Sequence, residues 1–295
     1  MRYLFLVLTS AVLLLLSGCG AGKQLTQQNT TADTYYMASN YADALLTYKE
    51  IINTYESNIN SEACTVYTKA GISALKTNDY KVAVDYLKKA TYTTFADEDT
   101  YFYLAKAYQQ VDNLSLEIGT LSDYLDKYPQ GKKINAVKTR MFYTAVESDN
   151  YDKAMNLWSD VQANSINDNK LLEAYFQVNN KLGNTDTCDA VADQLLSLDD
   201  NNIVALTWFG KKYYRKAEDL YSKEMKAYNK HKTNKQYRIL LKALDAVTID
   251  FKKSLTYFKK LYTLEPTTEN ANYLSHIYGR LSDKKKEAYY KKLAG

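Results

Sequence analysis

A pattern that recurs about every 34 residues constrains the fold of this chain more than any other feature of its sequence. In its plainest copy, Tyr151 is followed three residues later by Ala154 and four residues after that by Trp158. Segments 41–48 and 80–87 repeat this order of an aromatic, a small and a large residue. Two antiparallel helices approach closely only where a small residue of one faces a large residue of the other. The pattern therefore predicts helical hairpins that stack side by side.

These segments resemble the second helix of the tetratricopeptide repeat (TPR), with Ala44, Ala83 and Ala154 at the positions where two helices cross. Three other segments are similar to the first TPR helix: Ala70-Gly71 with Ala74, Leu104-Ala105 with Tyr108, and Phe209-Gly210 with Tyr213. The resulting repeats start near residues 25, 64, 98, 135, 169 and 203, and the longer steps contain insertions at 56–60 and 130–134. The resemblance implies an all-α, TPR-type helical-hairpin solenoid with about five repeats in residues 33–202. Glu117 and Cys188 depart from the pattern because they stand at the small position.

The pattern changes after residue 203, where no proline or turn cluster interrupts residues 203–230. A turn at 231–235 and a second helical run at 236–264 predict one long C-terminal hairpin with arms of about 40 Å. Two short repeats are the alternative, because Pro266 also fits the closing position of a TPR. Two last helices, 269–281 and 283–293, are expected to cap the stack, so residues 203–295 form a basic C-terminal module.

The N-terminus has the features of an export signal. Arg2 precedes an apolar run over residues 3–16 that is too short to span a bilayer as a helix. The segment Leu16-Ser17-Gly18-Cys19 resembles a bacterial lipobox, which implies that residues 1–18 are a lipoprotein signal peptide and that Cys19 carries the lipid. An ordinary signal peptide with an incidental Cys19 is the alternative. Residues 19–32 have no hydrophobic period and are expected to be a flexible tether. By the same resemblance, Gly20 favours sorting to the outer membrane, on its periplasmic side.

Charge is unevenly distributed along the chain. Residues 19–200 carry 16 Lys and Arg against 25 Asp and Glu, whereas residues 201–295 carry 21 against 9, so the net charges are −9 and +12. The basic C-terminal third has three interpretations: it docks an acidic partner, lies on anionic lipid, or only keeps the surface soluble. The candidate basic docking surface consists of Lys284, Lys285, Lys286, Lys291 and Lys292.

The sequence contains few residues that could form a catalytic site. Its two histidines, His231 and His276, belong to no metal or catalytic motif, and no GxSxG nucleophile motif is present. Cys188 is expected to be buried because it stands at the small crossing position. Cys64 and Cys188 are expected not to be bonded to each other, because they lie in different repeats. We therefore expect no catalysis, no metal, no cofactor, no small-molecule substrate and, for an exported protein, no nucleic-acid partner.

The remaining candidate site is the concave groove that the first helices of TPR hairpins line, where such domains hold a peptide or helix. By this resemblance the groove presents Asp99, Phe102, Lys106, Gln109, Thr139, Tyr143, Glu147, Glu173, Gln177 and Asn180. The expected function is a membrane-anchored scaffold for envelope protein partners, loosely resembling the TPR lipoprotein of the outer-membrane β-barrel assembly machine. The alternative is a carbohydrate-binding lipoprotein of the starch-utilisation kind, which the presence of only two Trp disfavours.

Overall fold

The structure is a computed structural model that describes residues 23–58 and 60–295, and every regular element in those residues is helical. Unit 1, up to Asp149, holds α1 (residues 23–37), α2 (Tyr41–Asn58), α3 (Tyr67–Lys76), α4 (Tyr80–Thr91), α5 (Glu98–Gln110), α6 (Leu114–Lys127) and α7 (Ile134–Glu147). Unit 2, from Asn150, holds α8 (Tyr151–Val161), α9 (Asn169–Leu182), α10 (Thr185–Leu198), α11 (Ile203–Lys230), α12 (Asn234–Leu264), α13 (Thr268–Arg280) and α14 (Lys284–Ala294). Neighbours along the chain pack as hairpins: α3 with α4, α5 with α6, α9 with α10, α11 with α12, and α13 with α14.

The predicted repeat spacing matches these helices. The expected starts at 98, 169 and 203 coincide with the first residues of α5, α9 and α11, and the largest difference is the start at 64 against Tyr67. The long C-terminal hairpin is also confirmed, with arms of 28 and 31 residues joined by a short turn. The alternative of two short repeats in this region is therefore wrong. The capping pair follows as α13 and α14.

Six of the interhelical turns share one local design. Each has a residue with positive φ followed by Asn or Asp just before the next helix: Ser39-Asn40, Asn78-Asp79, Asp112-Asn113, Asp149-Asn150, Gly183-Asn184 and Ser282-Asp283. Only small or short polar residues adopt the left-handed region at modest cost. The following Asn or Asp suits the start of a helix, and Asn113, Asn150 and Asp283 accept a hydrogen bond from a backbone N–H of the first turn.

The helix crossings are where the repeat pattern placed them. Ala44, Ala83, Ala154 and Cys188 are fully buried, and Glu117 is 1% exposed at the same repeat position. The chain also buries tyrosines whose hydroxyls find acceptors: Tyr48 donates to Asp33 and Tyr67 donates to Glu56, at 2.6 and 2.8 Å. Desolvation and these acceptors raise the pKa of both phenols. Tyrosine therefore fills the space between helices while keeping its polar atom bonded.

The expected tether is wrong for residues 23–32, which belong to α1. Ala32 is fully buried, and Leu25 packs on the cluster that contains Tyr48 and Ile51 of α2. The apolar residues of this segment are few and separated by Gln and Thr, so sequence periodicity does not reveal the contact. The proposed signal peptide and Cys19 lie outside the described residues.

The compact units divide between Asp149 and Asn150, inside the fourth repeat, and not at the expected boundary between residues 202 and 203. The reason lies in the contacts of α11. Its residues Ala205 and Phe209 share a buried cluster with Cys188 and Leu195 of α10, so the long hairpin is continuous with the repeats before it. Across the part of the chain that the structure describes, no helix combines the length and apolarity needed to cross a membrane.

Candidate binding surfaces

In unit 1, the first helices of successive hairpins are joined by polar contacts. Lys69 of α3 forms an ion pair with Asp33 of α1 at 2.7 Å, and Thr68 and Thr100 share a hydrogen bond of 2.7 Å between α3 and α5. Lys133, at the start of α7, forms an ion pair with Asp99 of α5. These contacts fix the spacing of the helices that carry the predicted groove residues.

Four of the predicted groove residues lie on α5: Asp99, Phe102, Lys106 and Gln109. Asp99 is paired with Lys133, and the ammonium groups of Lys106 and Lys133 lie 4.8 and 5.5 Å from the ring centre of Phe102. Both distances are within the range of cation–π attraction. Desolvation, followed by the positive charges of Lys76 and Lys133, lowers the pKa of Lys106.

Lys106 and Gln109 line a surface depression of about 260 Å³. This feature, the α5 depression, is lined by Leu75, Lys76, Asn78, Tyr80, Tyr103, Lys106, Gln109 and Gln110. Lys106 is exposed and has no carboxylate partner among the described residues. A cation over aromatic rings, at the edge of a depression with amide groups, is suited to a carboxylate or a carbonyl oxygen of a bound peptide.

A second cluster in unit 1 centres on Arg140 of α7, which the sequence analysis missed. Its guanidinium donates to both oxygens of Glu117 and to both oxygens of Glu147, the latter at 2.8 Å. With its amide oxygen turned toward the guanidinium, Gln109 also accepts from Arg140 at 3.3 Å. Burial by itself would lower the pKa of Arg140, but the hydrogen bonds that it donates to Glu117 and Glu147 outweigh this effect and raise that pKa.

The cluster brings two predicted groove residues, Gln109 and Glu147, to one charged centre. Thr139 and Tyr143 lie half-buried on the same helix, α7. One signal for Arg140 was present in the sequence, namely the acidic residue Glu117 at a position that elsewhere holds a small residue. A buried carboxylate at a helix crossing requires a cation nearby, but the sequence does not identify the cationic residue.

The other groove residues, Glu173, Gln177 and Asn180, lie on α9 in unit 2. Glu173 accepts a hydrogen bond of 2.6 Å from Asn202, the residue that caps α11. Gln177 and Asn180 are exposed. Asn180 lines a wide depression of about 770 Å³ together with Thr185, Trp208, Lys212, Arg215, Lys216, Asp219, Leu220 and Lys223. This depression is rich in cations, although Lys212 and Lys216 are paired with Asp189 and Asp250.

The five lysines of the predicted basic docking surface are all exposed on α14. Two are used locally, because Lys284 pairs with Glu287 at 2.7 Å and Lys286 pairs with Asp283 at 3.3 Å. Lys285, Lys291 and Lys292 have no ion-pair partner within the described part of the chain. The surface that offers unpaired charge is therefore smaller than the sequence suggested.

Residues with metal-ligating or reactive side chains do not cluster. Nowhere in residues 23–58 and 60–295 do three or more His, Cys, Asp or Glu side chains come together as metal ligands would. Cys64 and Cys188 are both buried free thiols, and burial raises the pKa of each. His276 contacts the hydroxyl of Tyr214 at 3.3 Å, and His231 is exposed after the end of α11.

Comparison with solved structures places the fold among bacterial TPR proteins. The C-terminal part of a TPR repeat-containing protein from Cytophaga hutchinsonii shares 15% identity with a TM-score of 0.58, over 90% of this chain and 93% of that one. A tetratricopeptide repeat protein from Parabacteroides merdae shares 12% identity with a TM-score of 0.50, over 92% and 91%. YrrB, described as a TPR protein with an unusual peptide-binding site, shares 15% identity with a TM-score of 0.51, over 60% and 87%.

No protein-family profile and no curated protein matches the sequence. At these levels of identity the structural likeness establishes the fold alone. The chain has the fold expected from the sequence, an all-α TPR-type helical-hairpin solenoid with a long C-terminal hairpin and capping helices.

Proposed function

We propose that this chain is a protein-binding scaffold of the cell envelope that is held at a membrane by a lipid on Cys19. The observation that carries the proposal is the α5 depression, which Lys106 lines without a carboxylate partner among the described residues. The TPR-type fold supports it, since YrrB, which shares that fold, has a peptide-binding site. The lipobox at Leu16–Cys19 supports the anchor and, with it, the envelope location.

The carbohydrate-binding alternative finds no support in the two tryptophans. Trp158 stacks on Tyr175 at 3.7 Å between ring centres, and the indole N–H of Trp208 donates to Asp189 at 2.8 Å. Both residues are half-buried. A sugar-binding platform needs an open aromatic face. Tyr175 covers one face of Trp158, and Trp208, which lines the depression beside Asn180, packs edge-to-face against Phe176.

The test is cross-linking and affinity purification of the full chain from solubilised envelope, comparing the wild type with Lys106→Glu. The substitution reverses the exposed charge of the α5 depression and breaks no ion pair. We expect at least one co-purifying protein to be reduced about tenfold or more, because losing a desolvated charge contact costs about 1.5–3 kcal/mol. Lys88→Glu is the matched control, since Lys88 is exposed on α4 and outside the depression.

Identical sets of co-purifying proteins for the wild type and Lys106→Glu would contradict a role for this groove. The same preparation tests the anchor, since Cys19→Ala should move the chain from the membrane fraction to the soluble fraction at high salt, where charge contacts with lipid are screened. Unchanged membrane association of Cys19→Ala, with no acyl label on the wild type, would exclude Cys19 as the anchor.

A further inference from the structure

Few residues at the far end of the long hairpin are buried. We define the hairpin tip as residues 222–243, which comprise the end of α11, the turn and the start of α12. Arg280, the last residue of α13, reaches the hairpin at Glu218 and Tyr221, just before the tip begins. Within the tip, only Leu240 is buried, where it packs between the two arms.

The tip carries a dense positive charge. It contains Lys223, Lys226, Lys230, Lys232, Lys235, Arg238 and Lys242 but a single acid, Glu224, so that seven positive charges and one negative charge give a net charge of +6. Lys223 lies 4.0 Å from Glu224, and the other six cations have no ion-pair partner among the described residues. All seven are exposed.

Apolar side chains are exposed between these cations. Tyr237, Ile239 and Leu241 on α12 are 47%, 43% and 45% exposed. Tyr237 and Leu241 are four residues apart and share one face of the helix, whereas Ile239 lies on another face. Tyr237 also packs against Tyr228 across the hairpin, with ring centres 5.7 Å apart. The tip therefore offers aromatic and aliphatic surface together with charge.

We propose that the hairpin tip docks end-on onto an anionic phospholipid surface. The cations lie on both arms and in the turn, and all are within about 12 Å of the turn at 1.5 Å per residue. On each arm three cations recur at the spacing i, i+3, i+7 and so lie along one face of the helix: Lys223, Lys226 and Lys230 on α11, and Lys235, Arg238 and Lys242 on α12. Two such rows that meet at the turn can bring many cations together to a flat anionic surface. Each Lys or Arg near such a surface strengthens binding about fivefold.

The exposed apolar residues fit the same surface. Tyr, Ile and Leu side chains enter the boundary between headgroups and acyl chains, while neighbouring lysines extend to the headgroups. A second copy of the chain is disfavoured as the occupant, because two tips of charge +6 would repel each other. The contact is separate from the proposed lipid on Cys19 and from the α5 depression, so it adds a second membrane contact to the proposed scaffold.

The test is sedimentation with vesicles of the chain from residue 20 onward, which lacks the proposed anchor but retains every described residue. We expect binding to phosphatidylglycerol-containing vesicles, little binding to pure phosphatidylcholine, and weakening as salt rises, since exposed charges are screened over about 8 Å at physiological ionic strength. The triple variant Lys226→Glu, Lys230→Glu, Lys235→Glu should bind at least about tenfold more weakly, because three attractive charges become repulsive.

The matched control reverses three exposed lysines that lie outside both the tip and α14 and form no ion pair among the described residues, as Lys81→Glu, Lys170→Glu, Lys181→Glu. This variant has the same net charge as the tip variant, and circular dichroism should show that both remain helical. Binding of the control should stay within about threefold of the wild type.

Three results would overturn the proposal. Equal loss in the two triple variants would assign binding to net charge, and equal binding to phosphatidylcholine would remove the role of anionic lipid. Failure of the wild type to bind anionic vesicles would also overturn it. If the tip variant then lost an envelope protein in affinity purification, the tip would be a docking site for an acidic protein instead.

Discussion

Glu117 shows how a single residue departs from the repeat without breaking the fold. It is 1% exposed on α6, at a helix crossing where other repeats have Ala or Cys. Arg140 of α7 accounts for its presence, because it donates to both of its carboxylate oxygens and also binds Glu147. A buried ion pair contributes little net stability, but leaving one partner alone is costly.

This argument predicts an ordered series of stabilities. Arg140→Ala should lower the free energy of unfolding by about 3 kcal/mol, since the buried Glu117 carboxylate loses its cation. Glu117→Ala should cost less, because it restores the usual small residue and Arg140 keeps Glu147. Glu147→Ala, whose side chain is 49% exposed, should cost under about 1 kcal/mol. Guanidinium denaturation measures all three, and adding Glu117→Ala to Arg140→Ala should recover part of the loss.

A loss for Arg140→Ala no larger than that for Glu147→Ala would show that Glu117 does not depend on this cation. Glu117 also shows which contacts cannot be predicted from the sequence. The repeat pattern located Glu117 at a crossing, but only tertiary contacts bring Arg140 to it, 23 residues later in the chain.

The sequence predicted most of the helices because the same pattern of residues recurs in several repeats. The turns repeat a residue with positive φ followed by Asn or Asp, and the crossings repeat a small residue. Where repetition is absent, the prediction failed: α1 has few apolar residues, and its contacts with α2 depend on Leu25 and Ala32. The hairpin tip was read only as part of a basic third, because its isolation from α13 and α14 follows from packing.

Two helical glycines test how closely helices approach within a hairpin. A Cβ on Gly71 of α3 would lie 2.5 Å from Cγ of Leu87 on α4, whereas a Cβ on Gly119 of α6 meets nothing within 4 Å. Gly71→Ala should therefore destabilise the chain by about 1–3 kcal/mol through overpacking. Gly119→Ala should stabilise it by about 0.5–1 kcal/mol, because Ala loses less backbone entropy in a helix. Thermal melting compares the two, and a higher melting temperature for both variants would mean that α3 and α4 are not in close contact at Gly71.

The boundary between the two compact units does not coincide with the position at which the net charge of the chain changes sign. The repeat pattern changes after residue 203 and net charge changes sign near residue 200, so the sequence predicts a separate module over residues 203–295. The compact units divide at Asp149 instead, because α11 is packed on α10 through apolar residues. The distribution of charge indicates which surface contacts solvent or a partner, whereas domain boundaries depend on where apolar residues are buried.

Two truncated chains distinguish these boundaries. Residues 150–295 keep the stacking of Trp158 on Tyr175 and the cluster that joins α10 to α11, so this chain should be monomeric, helical and cooperative in unfolding. Residues 203–295 expose the face of α11 around Phe209, which is 5% exposed in the intact chain. Losing the burial of one such side chain costs about 1.5–3 kcal/mol, and the uncovered face promotes association.

Circular dichroism melts and size-exclusion chromatography compare the two chains. If residues 203–295 remained monomeric and melted as high as residues 150–295, the boundary would lie at residue 203, and the contact of α11 with α10 would contribute no stability to the C-terminal hairpin.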